Sequence, residues 1–251
     1  MIALITGATS GIGKSTALLF AKNGYDVIIT GRRQERLDAL SAEIKSKTKS
    51  HILSLCFDVR NKDEVSKNLN SIKENWSKID VLVNNAGLAA GLSTIQEGDL
   101  DDWEQMIDTN VKGLLYVTRI IAPLMIRNGK GHIINIGSVA GKEVYPNGNV
   151  YCATKHAVDA LNKAMRLDML PHGIRVTGIH PGMVETEFSI VRYKGDEERA
   201  KKVYAGVQPL TPDDIAETIF WAASRPAHVN ISDVILTPTA QANATNVVRK
   251  S

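Results

Sequence analysis

The sequence predicts an α/β fold: one doubly wound domain, with a parallel sheet covered by helices on both faces. Three observations predict it. Short, nearly continuous apolar runs recur along the chain, amphipathic stretches separate them, and the first run leads through a glycine-rich turn into a helix. Strands buried on both faces need unbroken apolar runs, whereas half-exposed strands alternate. Strand–helix alternation implies a parallel sheet, because parallel neighbours need a crossover between them.

The first strand is IALIT (2–6), and it runs into TGATSGIG and then the helical GKSTALLFAKNG (13–24). DVIIT (26–30) follows, then the amphipathic RRQERLDALSAEIK (32–45) and the strand ILSLCF (52–57). DVLVNN (80–85), GHIINIG (131–137), RVTGIHPG (175–182) and SDVILTP (232–238) complete the series. The run count gives about seven strands in one domain covering residues 1–251. One stretch departs from the pattern. Residues 183–210, MVETEFSIVRYKGDEERAKKVYAGVQPL, are charged, weakly patterned and long for a connection. Long loops inside compact domains are usually functional, and this one reads as a substrate lid.

Composition narrows the function. With 43% hydrophobic and 23% charged residues, the 251-residue chain has an ordinary globular balance. A net charge of +3 without a basic stripe argues against nucleic acid. No apolar run reaches the length of a membrane span, and IALIT begins at residue 2, which leaves no room for a secretion signal. Cys56 and Cys152 have neither metal-ligand spacing nor a disulfide framework, so no metal is expected and a reducing, cytoplasmic setting is.

Chemistry concentrates at the strand ends. The turn residues Gly7, Thr9, Ser10, Gly11, Ile12 and Gly13 place a flexible backbone before a helix N-terminus, an arrangement that binds a pyrophosphate. After the second strand, where a carboxylate would hold a ribose 2′-hydroxyl, stand Arg32 and Arg33. Two guanidinium groups suit a 2′-phosphate, which favours NADP (as NADPH when reduced) over NAD. Asp58 and Val59 after the third strand, and Asn85, Ala86 and Gly87 after the fourth, lie where ligands of open α/β sheets bind. In NVYCATKHAV, Tyr151 and Lys155 stand four apart and share one helix face.

These pieces resemble, in order and over residues 2 to about 190, the short-chain dehydrogenases/reductases: TGATSGIG, NNAG, Asn110 in DTNVKG, Ser138 in NIGSVAG, the Tyr151–Lys155 pair in YCATK, and Pro181–Gly182. The resemblance implies a Rossmann-type domain and assigns roles. Tyr151 is the general acid/base and Lys155 supports it while binding the nicotinamide ribose. Ser138 holds the substrate oxygen, and Asn110 holds a relay water. Pro181, Gly182, Val184 and Thr186 border the nicotinamide. Electrostatics agrees in kind, since an ammonium about 4 Å from a phenol lowers its pKa by a few units.

A narrower resemblance, carried by PGMVETEFSIVRYKGDEERAKKVY (181–204) and SDVILTPTAQA (232–242), is to the NADP-dependent 3-hydroxy acid dehydrogenases. It implies a small 3-hydroxy acid of the serine, allo-threonine or 3-hydroxypropionate type as substrate, and assembly as a homotetramer. Arg192 is the expected partner of the substrate carboxylate, beside Ser138 and Tyr151 at the reacting carbon. Two alternatives stand at this point: a general NADPH carbonyl or ketone reductase, and a noncatalytic NADP-binding sensor or scaffold.

Overall fold

The computed structural model describes residues 1–250. Its strands, in chain order, are β1 (Ile2–Ile5), β2 (Asp26–Gly31), β3 (Ile52–Cys56), β4 (Ile79–Asn84), β5 (His132–Ile136), β6 (Arg175–Pro181) and β7 (Asp233–Leu236). Its α-helices are α1 (Gly11–Lys22), α2 (Gln34–Lys47), α3 (Lys62–Asn70), α4 (Leu100–Ile107), α5 (Leu114–Asn128), α6 (Asn149–Met169), α7 (Phe188–Arg192), α8 (Glu197–Lys202) and α9 (Pro212–Ala223). The seven strands form one sheet in the order β3-β2-β1-β4-β5-β6-β7, and every pair is parallel. Strand order reverses between β1 and β4, so a crevice opens beyond their carboxyl ends.

Strands β1 to β6 feed two cores. Along β1, Ala3 and Ile5 join the cluster on one face, and Ile2 and Leu4 join that on the other. The first face is covered by α1, α2 and α9, through Phe20, Leu37, Leu40, Ile44, Ile215 and Ile219. Phe20 meets Phe220 edge-on, with ring centroids 5.3 Å apart. The second face is covered by α3, α5 and α6, through Val65, Leu69, Val117, Ile121, Met125 and Val158. Side chains of this size stabilise by about 1.5–3 kcal/mol each when fully buried, and this two-sided demand is what the unbroken apolar runs reflect.

Helix starts differ by position. α3, α4 and α9 are capped by the side chains of Asn61, Asp99 and Thr211. The helices that start at the crevice, α1 and α2, follow Ser10 and Arg33 with no side-chain cap. Their first amides stay available to an anion.

One detail differs from expectation, and a second concerns the helix around Asn110. Residues 183–210 contain the short helices α7 and α8, and a bridge between Val184 and Leu210 closes the segment at its neck. There the Glu185 amide donates to the Leu210 carbonyl at 2.9 Å, and the Leu210 amide to the Met183 carbonyl at 2.9 Å. Asn110 lies not in ordinary helix but in a π-helical turn, Asp108–Gly113, between α4 and α5. Close packing explains why this turn ends on glycine, since a Cβ on Gly113 would approach Val59 Cγ2 to 2.9 Å. Among the described residues, no helix is long and apolar enough to cross a membrane.

Candidate active site

The crevice is a cleft of about 650 Å³ lined by the ends of β1, β2, β4, β5 and β6 and by the 183–210 segment. At its phosphate end, Gly7 and Gly11 adopt left-handed φ values of +66° and +51°, which favour glycine. A Cβ on Gly7 would also come within 2.9 Å of the Ala86 Cα. Gly13 lies behind the turn, where a side chain would strike the Gly7 carbonyl and the Asn85 amide. It sets close helix–strand packing and does not line the cleft.

Thr6 and Asn85 tie this turn to the end of β4. The Thr6 hydroxyl accepts from the Asn85 and Ala86 amides, both at 3.0 Å, and Asn85 Nδ2 donates to the Thr6 carbonyl at 2.9 Å. Asn85 lines the cleft, where the sequence places it, and also holds the turn. Thr9, Ser10, Ile12, Val59 and Gly87 line the cleft, as do Pro181, Gly182, Val184 and Thr186. Thr186 covers the turn: its Cγ2 would lie 3.2 Å from a Cβ on Gly11.

The arginines gather beyond β2. Arg33 reaches back over the turn, donating through Nη2 to the Thr9 and Ser10 hydroxyls at 2.9 and 3.0 Å. Its Nη1 meets the Glu187 carboxylate at 3.1 Å, and Arg36 meets the same carboxylate at 2.5 Å. Arg32 Nη1 lies 3.7 Å from Asp58. Burial acts to raise the Asp58 carboxyl, but hydrogen bonds from Arg60 outweigh it and hold the group below its ordinary value. Three arginines, two uncapped helix starts and a glycine cradle fit a dinucleotide carrying an extra phosphate on its adenosine ribose. Arg36 and Glu187 were not singled out from the sequence. Arg36 stands in the same basic run, GRRQER, whereas Glu187 is 154 residues from its partner Arg33.

At the other end, α6 presents Tyr151 and Lys155 on one face, 9% and 6% exposed. Lys155 Nζ donates to the Ile136 carbonyl at the end of β5 at 2.9 Å. Ser138 lines the cleft two residues later, its hydroxyl accepting from the Ala140 amide at 3.1 Å. Asn110 lies beneath the pair. Its Oδ1 accepts the Leu88 amide at 2.8 Å, and its Nδ2 donates to the Leu88 carbonyl and the Thr154 hydroxyl at 2.8 and 3.0 Å. A Cβ on Gly87 would lie 3.2 Å from Asn110 Oδ1 and 3.6 Å from Lys155 Nζ, so the missing side chain leaves the space between them.

The electrostatics adds to one expectation. Burial pushes the Tyr151 phenol up, and the groups that pull it back are the Arg192 guanidinium and the Ser138 hydroxyl. Arg192 Cζ stands 4.8 Å from the centre of the Tyr151 ring, whereas Lys155 Nζ stands 6.0 Å away. Arg192 is thus a second cation facing the Tyr151 ring, added by the 183–210 segment beside the Lys155 that helical spacing places there. Arg192 also faces the rings of Phe188 at 5.2 Å and Tyr145 at 5.7 Å, and donates to the Tyr145 hydroxyl at 2.7 Å. Its Nε is buried without a partner. Tyr145, in the loop before α6, carried no signal that set it apart from turn residues.

Burial lowers Lys155 from its ordinary 10.5 to about 8. The unfolded chain keeps a proton there up to about pH 10.4, so stability rises with pH between about 8 and 10.4, by about 3 kcal/mol in all. We expect urea titrations of nucleotide-free protein to show this rise in wild type relative to Lys155→Met. A flat difference across the window would mean that the ammonium is hydrated.

His180, near the end of β6, is buried with its Nε2 2.9 Å from Asp233. With Asp159 the three form a possible ligand cluster, but Lys142 Nζ lies 2.6 Å from Asp159 and already neutralises charge there.

Comparison with known proteins places the chain. Residues 1–197 match the family model described as short chain dehydrogenase. An NADP-dependent 3-hydroxy acid dehydrogenase of Salmonella typhi is 48% identical over 252 residues, covering 100% of both chains. A serine 3-dehydrogenase of Agrobacterium fabrum is 45% identical, covering 96% of this chain and 95% of that one. Among solved structures, the closed form of a serine dehydrogenase complexed with NADP+ superposes with a TM-score of 0.92 at 46% identity, over 100% of both chains. The chain belongs to the short-chain dehydrogenase family.

Proposed function

We propose that the protein is an NADP-dependent dehydrogenase acting on the 3-hydroxyl carbon of a small 3-hydroxy acid, of the serine, allo-threonine or 3-hydroxypropionate type. The observation that carries this reading is the Arg192 guanidinium, caged by the rings of Tyr145, Tyr151 and Phe188 with its Nε donor unpartnered. A buried donor left unpaired costs about 1–3 kcal/mol, and a carboxylate supplies the missing acceptor with a geometry that suits a planar fork. The relatives named above support the same reading.

When bound, NADP supplies or accepts the hydride. The glycine turn and the amides of α1 would hold its pyrophosphate, and Arg32, Arg33 and Arg36 would hold its 2′-phosphate. Ser138 and Tyr151 hold the substrate oxygen by hydrogen bonds, and Tyr151 gives or takes the proton at that oxygen. Its burial suits a proton donor, since the neutral phenol persists at working pH. Lys155 fixes the ribose side of the cleft from the end of β5. Arg192 anchors the carboxylate two carbons from the reacting centre. The 183–210 segment closes over it and places Phe188 against Tyr151, with ring centroids 5.6 Å apart, to exclude water. Homotetrameric assembly in the cytoplasm belongs to the same reading. Leu167 and Leu170 at the end of α6 and Ile235 in β7, 72%, 73% and 57% exposed, support assembly, and light scattering tests it.

The test is Arg192→Leu on a 3-hydroxy acid and on its methyl ester. Losing a charge-assisted contact of about 1.5–3 kcal/mol should lower kcat/KM for the acid by roughly ten- to a hundredfold, with a clearly smaller loss on the ester, which feels Arg192 only through Tyr151. A wild-type enzyme that prefers the ester or neutral ketones overturns the substrate assignment.

A further inference from the structure

The C-terminal end of α7 is tied down at three points. The Arg192 carbonyl accepts the Gly91 amide at 3.0 Å. Two residues on, Lys194 Nζ lies 3.0 Å from Asp99 Oδ2 and 3.0 Å from Asp102 Oδ2. The receiving surface is shaped for this. Gly91 has φ +66°, and a Cβ on it would come within 2.7 Å of the same Asp102 oxygen. Asp99 uses its other oxygen to cap α4, accepting the Asp101 amide at 3.0 Å, which fixes that carboxylate. Lys194 itself holds a left-handed φ of +53°. Side chains with a Cβ avoid that conformation, so a residue kept there is held by its surroundings.

We propose that Lys194 is a positioning residue for substrate selection: by bridging Asp99 and Asp102 it fixes the end of α7, and so places Arg192 where it meets the substrate carboxylate. This rests on the carboxylate-binding reading of Arg192. One exposed ion pair contributes little, but an ammonium shared by two carboxylates, one of them 15% exposed, pins a backbone that is also hydrogen-bonded next door. The guanidinium reaches its aromatic cage from that backbone, and within the cage only Tyr145 accepts a hydrogen bond from it. Its placement therefore depends on where the helix end sits. Lys194 does not line the cleft and touches neither Tyr151 nor Ser138, so its effect travels through Arg192.

The test uses the full-length enzyme with NADP, a 3-hydroxy acid and its methyl ester. Lys194→Met should raise KM for the acid about tenfold, with kcat, KM for NADP and the ester kinetics within twofold of wild type. Lys194→Arg, which keeps the charge, should restore the acid KM. Lys194→Gly favours the left-handed turn but lacks the ammonium, and should behave like Lys194→Met. A glycine variant indistinguishable from wild type would assign the effect to the turn and overturn the proposal, as would equal losses on acid and ester. Hydrogen exchange at the Gly91 amide, measured without substrate, reads the tether directly. It should quicken in Lys194→Met, and unchanged exchange overturns the tether even if Arg192 binds the acid. Wild-type enzyme that ignores the carboxylate while this exchange still responds would sink the substrate reading and leave the tether standing.

Discussion

Replacing Tyr151 by Phe is expected to lower kcat by about 10²–10⁴-fold, the usual worth of a positioned proton donor, while NADPH binding changes little. The variant keeps the ring, and with it the edge-on contact with Phe188 and the face that Arg192 covers. The Lys155 bond to the Ile136 carbonyl is untouched, as is the glycine turn at the far end of the cleft. Only the hydroxyl disappears, and with it the proton. Stopped-flow NADPH binding beside steady-state turnover makes the measurement. More than about a tenth of wild-type kcat surviving would remove Tyr151 from the acid/base role, since that loss falls below what proton transfer contributes.

The second large effect is on cofactor choice. Arg32→Ala with Arg33→Ala should weaken NADPH by about a hundredfold or more, with two charge-assisted contacts of about 1.5–3 kcal/mol lost together. NAD should be affected far less. Arg33 contributes more than charge, because it also spans the Thr9 and Ser10 hydroxyls and Glu187, so a modest shared loss is expected with either nucleotide. Arg36, already on Glu187, retains part of the positive field, and adding Arg36→Ala should deepen the NADPH loss further. Equal losses with NADPH and NAD would show that the arginines hold the turn and do not read the phosphate.

The fold was legible because two-sided burial leaves a signature in the central strands. Runs such as IALIT and DVIIT have no solvent face to alternate with, and the glycine turn marks where the first of them meets a helix. Tyr151 and Lys155 were legible for a similar local reason, the four-residue spacing that stacks side chains on a helix. What escaped is what depends on distant segments meeting. Arg192 and Tyr145 are 47 residues apart, and Arg36 and Glu187 are 151 apart, with nothing local to announce either pair. Arg192 was legible as a charge on a lid but not as a cation facing Tyr151. Helical spacing fixes which side chains share a face, as Lys155 does with Tyr151, but not what another segment lays over them. The π-helical turn at Asn110 was hidden likewise, since it rests on packing against Val59 and bonding to Leu88.

Helix α7 is five residues long, about 7 Å of rise, with Glu187 immediately before it and Arg192 as its last residue. One end is bonded to the phosphate-side arginines and the other carries the cation beside Tyr151. A single inserted residue would rotate one end about 100° against the other, so that both could not stay engaged. Insertions and deletions between Glu187 and Arg192 therefore release one end or the other, whereas point substitutions leave the helix register intact. For protein engineering the segment acts as a ruler of fixed length: nucleotide and substrate preference can each be retuned by exchanging side chains along it, but a loop grafted from a relative must carry the same residue count between the two marks.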